Sequence, residues 1–231
     1  MAALTALLAG QEPDLDALPL GLTHGLDRTR RPYTLLSDAP TARLHTALRA
    51  GPRFQANHTG PGWGAIAVRE SPTMVIEVPH PGSDRFTARL GLDLFDAIPS
   101  AALIVAGTHR RHADVAHLPD SLFHAYAQTL ATTEIQLHGF AETSAPDTDA
   151  VVSPGAGNVT DLHRCLEKAL TRQGFRVKHH EHLSGRTNAQ GIAAAARDTP
   201  FLHLELAPVL RLHHRDRVVK AITDAWHEQR H

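Results

Sequence analysis

The chain contains little cysteine, no long apolar run and no excess of charge of either sign. A single cysteine, Cys165, excludes an intrachain disulfide and any zinc cluster built on several thiolates. No stretch approaches the roughly 20 consecutive apolar residues that cross a bilayer. Basic and acidic side chains number 23 and 24. Nucleic acids and anionic membranes, which select basic surfaces, are therefore not expected as partners.

Length and composition are typical of one globular domain. The chain has 231 residues, of which 42% are apolar, and this is enough for a sizeable core. Residues 1–60 hold many prolines and predict an irregular segment that packs on the core, whereas 61–231 predict the domain itself. The first ten residues lack the basic segment of a signal peptide, so we expect a cytoplasmic protein.

Short β-rich runs alternate with helical patterns from residue 64 onward, which predicts an α/β fold. The expected architecture is a single three-layer domain with a mostly parallel or mixed central sheet flanked by helices. Residues 64–69 and 73–78 predict a hairpin or two neighbouring strands. The other predicted strands are 101–106, 133–137, 151–152, 175–178 and 201–206, and the predicted helices are 88–95, 121–131, 158–174, 191–197 and 213–228.

Histidine is abundant, with 18 residues, and two histidines follow predicted strands closely. His80 and Asp84 flank the turn Pro-Gly-Ser, where an imidazole and a carboxylate can reach one metal ion. His138 ends another strand and precedes Gly139, which lets the chain turn close to an ion. Zinc accepts both donor types, and catalytic sites use three protein ligands with an open position. The alternative for His80 is an ordinary Pro-Gly turn with an exposed histidine, and the alternative for His138 is a capped histidine at a strand end.

Glu205 lies between two leucines on a strand that we expect to be buried. A buried carboxylate is costly without a partner, and it then acquires a cation, a bound water or a raised pKa. A general base that activates water for attack would satisfy this requirement. A salt bridge to Arg211 or another arginine is the alternative.

Two polar loops supply candidates for binding a substrate carboxylate. Arg110 and Arg111 follow the strand 101–106, with Asp114 placed to orient one of them, and arginine grips carboxylates through two hydrogen bonds. Arg186 and Asn188 precede the strand of Glu205. Solvated arginines and a plain turn are the corresponding alternatives.

Other histidines form a rival metal set. His109, His112 and His117 could converge only on a helix or a tight loop, and the intervening arginines would repel an ion. The histidines at 179, 180, 182, 213 and 214 are expected to be solvated, and Cys165 is expected to belong to the core.

The order of these motifs resembles the zinc carboxypeptidase superfamily, and more closely its N-formylglutamate amidohydrolase and poly-γ-glutamate hydrolase branches. The resemblance covers about residues 64–210. It implies that His80, Asp84 and His138 bind zinc, that Arg111 holds a substrate carboxylate, and that Glu205 is the general base. Arg110, Arg186 and Asn188 stay further candidate substrate contacts from the two loops.

The resulting hypothesis is a zinc-dependent hydrolase that cleaves an amide bond in a small carboxylate-bearing substrate, an N-acyl amino acid or a peptide. A non-catalytic or degenerate metal- or ligand-binding domain is the alternative. An esterase or other hydrolase that works without a metal is less favoured, because the chain contains no Gly-x-Ser-x-Gly motif.

Overall fold

The computed structural model describes residues 21–26, 32–37, 64–69, 71–130 and 132–229, the first two ranges as backbone. Within these ranges the chain forms eight strands: β1 Gly21–Leu26, β2 Pro32–Ser37, β3 Gly64–Val68, β4 Met74–Val78, β5 Ala101–Ala106, β6 Thr133–Gly139, β7 Ala150–Ser153 and β8 Phe201–Leu206. The α-helices of the same ranges are α1 Thr87–Ala97, α2 Leu122–Leu130, α3 Asp161–Arg172, α4 Ala189–Ala196, α5 Pro208–His213 and α6 Arg215–Glu228. No helix in this part of the chain has the length and apolarity needed to span a membrane.

All eight strands belong to one mixed sheet in the order β1-β2-β3-β5-β4-β6-β8-β7. The central strands β5, β4, β6 and β8 are parallel, and the strands on either side pair antiparallel. This confirms the predicted α/β class with a mixed sheet. The predicted pairing of β3 with β4 is wrong, because β5 lies between them.

Three further differences separate the observed elements from the predicted ones. Residues 175–178 form only an isolated parallel bridge, between Ala150 and Val177. The final helix is preceded by a separate helix, α5, which begins at Pro208. Most of the predicted segment 1–60 lies outside the described residues, but β1 and β2 extend the sheet beyond β3. The division of the chain at residue 60 stays a prediction.

The two faces of the sheet differ in chemistry because side chains alternate along each strand. One face is apolar throughout and packs with α1, α3 and α6 around residues such as Ile76, Leu137 and Leu204. The other face is apolar near β5, where it packs with α2. On β4, β6 and β8 this second face carries buried polar side chains, here called the polar stripe: Glu77, Glu134, Gln136, His138, His203 and Glu205.

Candidate metal centre

The polar stripe ends at the point where the connections of the sheet diverge. From β4 the chain passes through α1 to β5 on one side, and from β5 it crosses through α2 to β6 on the other side of β4. In open α/β sheets such a switch point leaves a crevice outside the carboxyl ends of the strands, where ligands bind. His80 follows β4, and His138 lies near the end of β6.

His80, Asp84 and His138 converge at this crevice. The turn after β4 is closed by hydrogen bonds from the backbone N–H of Ser83 and Asp84 to the His80 carbonyl, at 3.1 and 2.8 Å. This turn aims the Asp84 carboxylate at both imidazoles, with Oδ2 lying 3.4 Å from Nδ1 of His80 and 3.3 Å from Nδ1 of His138. One potential ligand atom from each residue lies within 4.8 Å of the others, and all three residues are buried.

The outer nitrogen of each imidazole already has a partner. Nε2 of His80 lies 2.6 Å from Oδ1 of Asp114, and Nε2 of His138 lies 2.8 Å from Oε1 of Gln136. Nδ1 of His80 is buried without a hydrogen-bond partner. Metal-bound histidines are commonly oriented by such hydrogen bonds from the nitrogen that does not bind the ion. The donor set of two imidazoles and a carboxylate therefore fits zinc.

In the triad of His80, Asp84 and His138, the surroundings shift the pKa values in different directions. Burial alone would raise the pKa of Asp84, but the adjacent imidazoles of His138 and His80 hold that pKa well below its usual range. Burial also opposes the charged form of His80, yet the carboxylates of Asp114 and Asp84 raise its pKa. For His138, burial dominates and lowers the pKa. Neutral imidazole and ionised carboxylate are the forms that bind metal ions.

Glu205 lies beside the triad, because β8 pairs with β6 in a register that places Glu205 opposite His138. Its side chain is 9% exposed, and its Oε2 is buried without a hydrogen-bond partner. Burial, together with the negative charge of Asp84, raises the pKa of Glu205 to about 8. A buried carboxyl with a raised pKa is suited to accept and return a proton near neutral pH.

The alternative partner of Glu205, Arg211, is bound elsewhere. Its guanidinium donates to the backbone carbonyls of Leu206, Phe140 and Arg85 at 3.0, 3.3 and 2.6 Å. Gly139 makes room for it, because a Cβ at residue 139 would collide with the guanidinium. The requirement for glycine after His138 thus comes from Arg211 rather than from the approach of the chain to an ion.

An open cavity of about 360 Å³ leads to the triad. His80, His138 and Glu205 line its floor, and the segment 181–188 forms one wall. Among the predicted substrate contacts, Arg110, Arg186 and Asn188 line the cavity, whereas Arg111 is exposed and not among its lining residues.

The lining arginines are held by acidic neighbours. Arg110 donates from Nη2 to Oδ2 of Asp114 at 3.0 Å, so this carboxylate orients both an arginine and His80. Nε of Arg186 lies 2.9 Å from Glu181. The structure thus brings two of the three candidate arginines to the cavity.

The rival histidines do not converge. His109 lies with Nε2 3.2 Å from Oγ of Ser83, and Nδ1 of His117 lies 3.1 Å from the carbonyl of Thr187. Among the described residues, the clusters of three potential ligands are the predicted triad and a second set that shares His138.

The second set adds His203, which sequence reasoning missed. The rings of His203 and His138 have centroids 4.6 Å apart, and Nδ1 of His203 is buried without a hydrogen-bond partner. Burial, and then positive charge on His138, lowers its pKa well below the usual range. The spacing of two residues from Glu205 on a strand places both side chains on one face. This alternation is the signal that could have identified His203.

Comparisons with known proteins support the fold. No family model matches the sequence, and no curated protein matches it. The structure of a bacteriophage poly-gamma-glutamate hydrolase is similar at 18% identity and a TM-score of 0.56, over 71% of this chain and 88% of that chain. N-formylglutamate amidohydrolase from Ralstonia eutropha JMP134 is similar at 14% identity and a TM-score of 0.53, over 71% of this chain and 98% of that chain.

A third similar structure is the zinc-free form of a protein called YNDL, with 16% identity and a TM-score of 0.52 over 71% of this chain and 89% of that chain. At these identities the similarity establishes the fold. The resemblance drawn from the order of the sequence motifs is therefore confirmed at the level of the fold, which is similar to that of a poly-gamma-glutamate hydrolase and of an N-formylglutamate amidohydrolase.

Proposed function

We propose that the protein is a zinc-dependent hydrolase that cleaves an amide bond in a small carboxylate-bearing substrate. The observation that carries this proposal is the convergence of Nδ1 of His80, Oδ2 of Asp84 and Nδ1 of His138, with Glu205 beside them on the floor of an open cavity. Similar folds in a poly-gamma-glutamate hydrolase and an N-formylglutamate amidohydrolase support it.

His80, Asp84 and His138 are the proposed ligands, in preference to the set of His138, His203 and Glu205. Both imidazoles of the preferred set donate or accept through Nε2 and leave Nδ1 directed at Asp84. This choice also leaves the Glu205 carboxylate available for proton transfer.

When bound, a zinc ion supplies Lewis acidity that lowers the pKa of water and polarises a carbonyl group. Glu205 accepts the proton of the attacking water and then delivers it to the leaving nitrogen, which prevents expulsion of an unstable amide anion. Positive charge at the triad would lower the raised pKa of Glu205, since that pKa reflects burial and the negative charge of Asp84. The carboxylate form needed for the first step is thereby favoured.

Binding of the substrate carboxylate is assigned to the arginines of the cavity. Arg110 lines the cavity from the loop after β5, and Arg186 lines it from the segment 181–188. Asn188 also lines the cavity, but its Nδ2 donates to Oε1 of Gln136, so it is not assigned to the carboxylate. Arg111 retains its predicted role only if substrate extends beyond the cavity.

The test is metal content and turnover measured on the same preparations. Purified protein should hold about one zinc per chain by plasma mass spectrometry, and His80→Ala should lose it. The matched control His203→Ala, which alters the second ligand set alone, should retain it. A chelator should abolish hydrolysis of N-acyl amino acids in a panel that includes N-formylglutamate and γ-glutamyl oligomers.

Two results would count against the proposal. Retention of full metal content in His80→Ala with loss in His203→Ala would assign the ion to the second set. A protein that binds zinc as expected but hydrolyses no member of the panel, nor the corresponding amides, would support the non-catalytic binding domain.

A further inference from the structure

We propose that Gln136 is a positioning residue that fixes the tautomer of His138, so that the imidazole carries its proton on Nε2 and presents Nδ1 to the metal ion. Gln136 lies on β6, two residues before His138, and is fully buried. The inference rests on the proposed function, because that proposal assigns His138 as a metal ligand. The hydrogen-bond geometry that supports the inference does not depend on a bound metal.

The orientation of the Gln136 side chain is anchored on a backbone carbonyl. Nε2 of Gln190 donates to the carbonyl of Val115 at 3.0 Å, and this leaves Oε1 of Gln190 as the acceptor on its other side. Nε2 of Gln136 donates to that oxygen at 3.1 Å and to Oε2 of Glu77 at 2.8 Å. A flipped amide would place the Gln136 oxygen against two acceptors, so the NH2 group must face them.

Oε1 of Gln136 is therefore the group that meets His138. It lies 2.8 Å from Nε2 of His138 and accepts a second hydrogen bond from Nδ2 of Asn188 at 2.5 Å. An amide oxygen only accepts, so the imidazole must donate from Nε2. In neutral imidazole the other nitrogen then carries a lone pair, and Nδ1 of His138 is the atom 3.3 Å from Oδ2 of Asp84.

Both candidate ligand histidines are oriented from one short segment. Asp114 accepts from Nε2 of His80 at 2.6 Å, and the next residue, Val115, provides the carbonyl that anchors the amides leading to His138. The carboxylate sets the tautomer of one imidazole directly, and the carbonyl sets the other through two glutamines. These hydrogen bonds therefore orient both imidazoles for a cation even when no cation is bound.

At the other end of this chain of hydrogen bonds, Glu77 remains an acceptor for the amide of Gln136. Glu77 and Glu134 are buried in contact with each other, and burial raises the pKa of both. Arg197 donates to Oε1 of Glu134 at 2.6 Å. Two buried carboxylates in contact retain one proton between them. With Glu134 holding that proton, Oε2 of Glu77 stays free to accept from Gln136.

The test measures the tautomer of His138 directly, in metal-free protein labelled with ¹⁵N at histidine. Two-bond ¹H–¹⁵N correlation spectra distinguish a proton on Nε2 from one on Nδ1, and His138→Gln identifies the signals by their loss. In the unaltered protein at pH 8 the proton is expected on Nε2. In Gln136→Met, which has similar volume but no acceptor, the Nδ1–H form should appear, because Asp84 is then the remaining acceptor.

Zinc affinity, measured by competition with a chromophoric chelator, provides the second readout. Gln136→Met should weaken zinc binding roughly 10- to 100-fold, as loss of a hydrogen bond to a metal-bound histidine commonly does. Gln128→Met is the matched control, because Gln128 accepts from Arg197 at the far end of the network and does not contact His138. It should leave both the tautomer and the affinity unchanged.

The proposal is overturned if the unaltered protein carries the proton on Nδ1, a result that needs no variant to fold. It is equally overturned if Gln136→Met keeps the Nε2–H form and its zinc affinity. Failure of the unaltered protein to bind zinc would instead contradict the proposed function, and the tautomer measurement would still decide the role of Gln136.

Discussion

Replacing Glu77 by glutamine should flatten the dependence of the protein's stability on pH. Glu77 and Glu134 are each 0% exposed and lie in contact with each other, and each has one carboxyl oxygen that is buried without a hydrogen-bond partner. Burial raises the pKa of both, and the charge of Glu77 raises that of Glu134 further, while Arg197 opposes this effect. At neutral pH the folded pair therefore holds one proton that the unfolded chain has released.

The sign and size of the effect follow from proton linkage. Both carboxyls have a pKa of 4.5 as isolated groups, so the unfolded chain loses its protons there and the folded chain loses the shared one at higher pH. Stability from this pair is fully present below pH 4.5 and falls as pH rises toward the folded pKa. A difference of one proton corresponds to about 1.4 kcal/mol in the free energy of unfolding per pH unit.

Glutamine at position 77 removes this proton without removing the contacts. Its amide oxygen can accept from Gln136, and its NH2 group can donate to Glu134. Loss of the negative charge of Glu77 then favours ionisation of Glu134 beside Arg197. Over two pH units the unaltered protein should lose roughly 3 kcal/mol relative to Glu77→Gln, or about 6–12 °C in melting temperature for a chain of this size.

The assay is urea unfolding followed by circular dichroism at pH 5.5, 6.5 and 7.5, with chelator present so that metal binding adds no pH dependence. Subtracting the curve of the variant from that of the unaltered protein cancels the contributions of the histidines. Glu167→Gln, on the exposed side of α3, is the matched control and should parallel the unaltered protein. Coincident slopes for all three proteins would refute a shared buried proton.

Two further predictions concern turnover. Glu205→Gln should keep its zinc and its melting temperature, because Oε2 loses no hydrogen bond, yet kcat should fall on the order of 10²–10⁴-fold; normal turnover per folded molecule would exclude Glu205 as the base. Arg110→Lys should lower kcat/KM for free-acid substrates at least tenfold, about 1.4 kcal/mol, because lysine lacks the two-pronged grip. Arg111→Lys, outside the cavity, should change kcat/KM less than twofold. A larger loss of kcat/KM in Arg111→Lys than in Arg110→Lys would assign binding of the substrate carboxylate to Arg111.

Elements with a strong local pattern were predictable from the sequence. The strands β5 and β8 were predicted with the bounds that the structure shows, because continuous apolar runs flanked by turn residues have few other solutions. The short bridge at Val177 was overpredicted as a strand, because a β-rich run forms a strand only where a partner strand has free backbone groups. The strands β1 and β2 were not anticipated, since their place in the sheet depends on pairing with β3.

The sequence by itself determined the chemistry available at the strand ends. His80, Asp84 and His138 could be chosen because strand ends in an α/β sheet meet at one edge. Glu205 could be chosen because burying a carboxyl between leucines costs free energy unless an interaction compensates it. These inferences use only local periodicity and the class of fold. Their convergence in the structure within 4.8 Å for the triad agrees with the prediction of a site, while its metal and its catalysis stay predictions.

Only the tertiary structure decided which partners orient these side chains. The register of β4, β6 and β8 places Glu77 opposite Gln136 and His138 opposite Glu205, and a shift of one residue would turn each of these side chains to the other face. Register depends on contacts between segments far apart in the chain, which no local pattern encodes. For the same reason the tertiary structure alone revealed that Asp114 holds His80 and that Arg110, rather than Arg111, lines the cavity.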